Sequence, residues 1–155
     1  MSPDERAALL AEYRGGYDAV VAAVEDVGEV GLDRRPADGW TARQVVHHLA
    51  DSEMTAAIRL RRLLAEEAPV IAAYDEERFA RVLHYDRPIA ASLVAVRGAR
   101  ESSFALLERL EEAEWLRTGT HTESGAYSVE TWLRIYTAHA HDHAAQIRAA
   151  AATES

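Results

Sequence analysis

Helical periodicity, opened by capping signals, runs through four long stretches of this 155-residue chain. In "SPDE", Ser2 caps, Pro3 suits the first helical position and Glu5 closes a capping box. This predicts a helix to about Val27, followed by the loop "GEVGLDRRPADG". In "TARQ", Thr41 and Gln44 form a second box. The helix it opens runs to about Ala65, with Val45, Leu49, Ala56, Leu60 and Leu63 on one stripe. A third helix is expected from near Pro88 to near Ala113, weakened but not broken by Gly98. A fourth begins after Ser128 and reaches about Ala151. The connection from Glu66 to Arg87 contains "YDEERFARVL", which reads as a short helix, and "EWLRTGTHTESGAYS" is a second long connection. Sustained period-two alternation and Asn-Gly turns are absent, so no strand is expected. The reading is an all-α, single-domain four-helix bundle over residues 1–155, frayed after about Ala151.

Composition narrows the chemistry. The chain has no cysteine, which removes disulfides, thiolate ligands and a protein thiol nucleophile. All 17 basic residues are arginine, which removes a Schiff-base or phosphate-loop lysine. A formal net charge of −9 repels phosphate backbones and anionic membranes, so the expected partner is a small-molecule substrate, with no nucleic acid and no membrane. The charged N-terminus does not resemble a signal peptide and no apolar run suffices for a membrane span, so a cytoplasmic protein is expected.

Histidine placement is the informative detail. In the last helix, Trp132, Ile135, Tyr136, His139, His143 and Ile147 recur at spacings of three and four, which directs His139 and His143 at the core. His141 lies about 200° from His139 and is expected to be solvated. In the second helix, Val45, His48, Leu49, Ser52 and Ala56 share a face, with His47 rotated about 100° off it. An imidazole is costly to bury without a partner. One metal ion satisfies three, and neutral imidazole suits zinc, nickel or iron. The competing reading is that of core histidines bonded to backbone or hydroxyl groups. His-Glu-x-x-His zinc chemistry does not apply, because Ala140 follows His139.

The segment "GWTARQVVHHLADSEMTAAIRLRRLLAEEAPVIAAYDEERF" resembles the DinB superfamily of metal-binding four-helix proteins, and within it the YfiT-type proteins, described as metal-dependent hydrolases and bacillithiol S-transferases. "TWLRIYTAHAHDHAAQI" resembles the family's final helix, and the likeness covers about Leu32 to Ala149. The resemblance implies that His48, His139 and His143 are the metal ligands, the same three that helical geometry selects. It further implies an up-down-down-up helix order, which suits the long connections, and a homodimer.

Three neutral imidazoles leave a metal with open positions, the pattern of catalytic rather than structural sites. An open position can acidify water, giving hydrolysis of a small amide or ester, or deprotonate a thiol. The resemblance favours a low-molecular-weight, bacillithiol-type thiol cosubstrate. A non-catalytic metal- or ligand-binding stress protein is the reading from a different class. Candidate helpers are Asp51, which could hold a ligand histidine or take a proton or else be a helix-surface carboxylate, and Tyr136, which could donate a hydrogen bond or else pack in the core with a satisfied hydroxyl. Arg59 returns to within about 20° of the His48 face roughly 16 Å along the axis, and could bind a cosubstrate carboxylate or snorkel to the bundle end. Glu53, about 140° from His48, is expected to be solvated. "YDEE" and Phe79 read as a lid over the site or as a surface turn.

Overall fold

The computed structural model describes residues 1–152. Its four long helices are α1 (Pro3–Leu32), α2 (Ala42–Ala65), α4 (Ala90–Leu107) and α6 (Val129–Ala152); α3 (Glu76–Val82) and α5 (Glu112–Trp115) are short. The expected starts hold because the caps form. Ser2 and Glu5 close one box and Thr41 and Gln44 the other. The Ser128 hydroxyl accepts the Thr131 amide at the head of α6. Gly28, at φ +66°, kinks α1 one residue beyond the expected end, and helical turns then resume to Leu32. The third helix is shorter than expected: α4 stops at Leu107, and Glu112–Trp115 forms the separate α5. The expected frayed tail falls, except for Ala152, outside the described residues.

Contacts between helices set their directions. Along α1 and α6, Glu5 meets Arg134, Leu9 meets Thr137 and Asp26 meets Arg148, so the two run parallel. His47 meets Ser92 and Glu53 meets Arg100, so α2 and α4 are also parallel. The Trp132 indole donates to the Ala56 carbonyl at 2.8 Å while His48 packs on His143, so α2 and α6 are antiparallel. This is the up-down-down-up order. A parallel α2–α4 pair needs a connection that returns along the bundle, which accounts for the length of residues 66–89.

One expectation fails. A small sheet, ordered β1-β2-β3, joins the two long connections: β1 (Val70–Ile71) pairs parallel with β2 (Thr118–His121), which pairs antiparallel with β3 (Gly125–Ser128). Strands this short carry no readable alternation, and β1 finds its partner some fifty residues away. A side chain at Gly119 would collide with the Pro69 carbonyl, so the close approach of the connections depends on glycine there.

The interior divides into two apolar clusters. One gathers Val45, Val46, Leu49, Val96, Ala144 and Ile147; the other gathers Ala56, Leu60, Leu63, Leu107, Trp132 and Tyr136. Each fully buried leucine contributes roughly 2 kcal/mol through removal from water. Between the clusters lies a layer of buried polar groups that includes His48 and Glu53.

Candidate metal centre

Helix α2 carries His48 and α6 carries His139 and His143 into this layer. Each offers one ring nitrogen, and the three nitrogens lie within 4.8 Å of one another. The Nε2 atoms of His139 and His143 are 3.1 Å apart. His48 is 2% exposed and packs its ring 5.0 Å from Trp40. The Nδ1 atoms of His48 and His139 are buried without a hydrogen-bond partner. Burial, with His143 close by, pushes the imidazole pKa of His48 down to about 4. The same causes, with His48 and Arg100 added, push that of His139 down to about 3. Burial also lowers that of His143, against an opposing hydrogen bond to Gln146. All three are therefore neutral near pH 7, the form that ligates metal. Two bonds of about 2.0–2.1 Å to one ion place their nitrogens roughly 3 Å apart, a spacing that the His139–His143 pair, at 3.1 Å, matches.

His47 is the satisfied core histidine. Its Nε2–H donates to the Arg87 carbonyl at 2.9 Å, so its Nδ1 accepts from the Ser92 hydroxyl at 2.7 Å. The expectation that His141 is solvated needs correcting: it is partly covered by α1, and its Nε2–H donates to the Glu12 carbonyl at 3.1 Å. Ile135, expected on the inward stripe, is 42% exposed, because it falls about 60° from Trp132 on the side away from Tyr136.

The expected helpers are distributed unevenly. Asp51 is buried, and its carboxylate accepts from the Tyr85 hydroxyl at 2.6 Å; no ligand-candidate histidine hydrogen-bonds to it. Tyr136 is 3% exposed, with its ring 5.8 Å from that of His139. Its hydroxyl accepts from Arg59 at 3.0 Å. Burial raises the Tyr136 pKa, and Arg59 pulls it back. Arg59 also donates to the Ala72 carbonyl at 2.7 Å, so the guanidinium is held toward the site rather than at the bundle end. In the lid segment, Tyr74 turns back toward the site: its hydroxyl faces Ser52, and its ring packs at a tilt against Phe79 and lies 5.9 Å from the Arg59 guanidinium. Asp75 instead caps α3, accepting from the Arg78 amide, and Glu76 and Glu77 are exposed.

Glu53 overturns its expected solvation. It is 1% exposed and ion-paired with Arg100 of α4, itself 3% exposed. Arg100 also donates to the Tyr136 carbonyl at 3.1 Å and to the Tyr13 carbonyl. A side chain at Gly16 would collide with the Arg100 guanidinium, so that glycine makes room for the arginine. The helical wheel placed Glu53 off the α2–α6 seam correctly; it could not show that α4 covers that side. Sequence reasoning also missed Trp40, Tyr85 and Gln146. The His143-x-x-Gln146 spacing was readable as a same-face pair, whereas Trp40 and Tyr85 sit on connections whose paths the sequence leaves open.

Comparison with known proteins agrees with this geometry. A protein of Oceanobacillus iheyensis named "Putative metal-dependent hydrolase" is 43% identical over 109 residues, or 70% of this chain and 63% of that protein. The chain thus spans less than two thirds of that relative's length. A Bacillus mycoides protein of the same designation is 35% identical over 126 residues, covering 81% of this chain and 73% of its own. Among solved structures, YfiT from Bacillus subtilis, described as "a probable metal-dependent hydrolase with an unusual four-helix bundle topology", superposes with a TM-score of 0.89 at 30% identity, covering 97% of this chain and 87% of YfiT. Residues 12–147 match the sequence model of the DinB superfamily, and the chain belongs to that superfamily.

Proposed function

We propose that this chain is a metal-dependent enzyme that joins a small thiol to an electrophile, the sulfur–carbon bond forming as an epoxide carbon–oxygen bond opens or a halide leaves, at a centre held by His48, His139 and His143. The observation that carries the proposal is the convergence of three neutral imidazole nitrogens with no carboxylate among them. A divalent ion there, zinc or nickel, supplies a Lewis acid that lowers the pKa of a bound thiol or water. The protein has no cysteine, so the thiol is a cosubstrate of bacillithiol type. Arg59 binds an anionic group on that cosubstrate, and Tyr136, which accepts from Arg59, keeps its own proton free to donate. Asp51, one turn after His48 and fixed by Tyr85, takes up the thiol proton. The active form is a homodimer, as the resemblance implies, and acts on small molecules in the cytoplasm; among the described residues no helix is long and apolar enough to cross a membrane.

A second reading, hydrolysis of a small amide or ester, is favoured by the names its relatives carry. Both readings rest on the metal. Elemental mass spectrometry of untagged protein is expected to find about one ion per chain, absent from His48→Ala and His143→Ala. Thiol-transfer and esterase assays then separate the two reactions, and an ion bound without turnover in either leaves the non-catalytic stress-protein reading. Metal-free wild-type protein with folded variants would sink the metal centre.

A further inference from the structure

The three histidines are not equally anchored. His48 and His139 have buried Nδ1 atoms without partners, whereas His143 Nδ1 meets Gln146 Oε1 at 2.6 Å. An amide oxygen only accepts, so Nδ1 of His143 carries the proton and its Nε2 presents a lone pair. That Nε2 is the atom facing His139 Nε2. One hydrogen bond therefore fixes both the tautomer and the ring angle at the ligand cluster. Gln146 sits one turn further along α6, half-buried, and lines a surface cavity of about 230 Å³ with Trp40, the residue that packs on His48. Its amide orients the ring without adding negative charge. A carboxylate in that place would donate electron density through the imidazole and blunt the ion's acidity.

We infer that Gln146 is the positioning residue of this centre, holding His143 in the Nδ1-protonated tautomer with Nε2 aimed at the ion. The inference rests on the metal-centre reading above. Outer partners of this kind are worth about 10- to 100-fold in metal affinity. The test uses Gln146→Met, which keeps the side chain's bulk but removes the amide, and Gln146→Glu, which keeps an acceptor oxygen. Zn²⁺ affinity is measured by competition with a chromophoric chelator, and the visible spectrum is recorded with Co²⁺. Nitrogen-15 spectra of the metal-free protein report the His143 tautomer directly. Gln146→Met is expected to weaken Zn²⁺ binding by about tenfold or more, shift the Co²⁺ bands and mix the His143 tautomers. Gln146→Glu is expected to restore tight binding and the single tautomer. Wild-type affinity, Co²⁺ spectrum and tautomer in a folded Gln146→Met protein overturn the inference while leaving the metal centre standing. Wild-type protein that binds neither ion overturns both.

Discussion

The His48–His139–His143 cluster and the Glu53–Arg100 pair lie little more than one turn apart along α2, and both interrupt an apolar interior. Their chemistry is opposite. Glu53 and Arg100 carry complementary charges and neutralise each other, and Arg100 spends further donors on the Tyr13 and Tyr136 carbonyls. The histidines are three groups of one kind, with depressed pKa values and no partner for the Nδ1 atoms of two of them. Burial of polar groups is common to both regions and identifies neither. What marks a candidate ligand site is the convergence of like ring nitrogens with no opposite charge among them.

The contrast can be broken most forcefully at Arg100. Arg100→Ala strands the Glu53 carboxylate in the core and is expected to cost about 3–5 kcal/mol, read as a large drop in the denaturant midpoint. Glu53→Leu with Arg100→Met is expected to recover most of that stability and to keep metal affinity near wild type. If the double variant folds but loses the ion, the pair belongs to the site after all.

A smaller effect should follow pH. In the metal-free protein, His48, His139 and His143 have folded pKa values below the unfolded value of about 6.5. The unfolded chain then binds more protons than the folded one below that pH, so stability falls as pH drops from about 6.5 toward 4 and 3. A loss of a few kcal/mol across that window is expected in thermal melts, and a flatter profile when the three are replaced by alanine. Because burial raises the Glu53 carboxyl to about 7, which acts in the opposite sense, the comparison with the alanine variant decides: an unchanged profile there would mean that the rings are not held in their neutral form.

Smallest in stability, and sharpest in function, is Arg59→Ala. It should leave the melting temperature within a few degrees and raise KM for an anionic thiol by roughly tenfold, with kcat less affected. An unchanged KM would return Arg59 to the structural side of the comparison, as a residue that ties Tyr136 to the Ala72 carbonyl.

Much of this was legible in the residues alone. Capping boxes marked the starts of α1 and α2, because a side-chain oxygen three residues from its amide partner is a local matter. Helical spacing placed His139 and His143 together, because they share one element. The misses were mostly non-local. β1 joins β2 across some fifty residues, while the local β2–β3 hairpin is too short to show an alternation. Ile135 was misassigned because a stripe read from spacing has no sharp edge, and the neighbouring helix decides where burial ends.

The sequence by itself determined four helices, their principal apolar faces and which histidines could meet. Those follow from a rise and turn per residue that any α-helix obeys. Only the tertiary structure decided what each remaining face meets: α4 against Glu53, α1 against His141, Tyr85 on Asp51, and Arg59 on Tyr136 rather than in solvent. Helical period fixes a direction around an axis, but the partner found in that direction depends on how the four axes are ordered and joined.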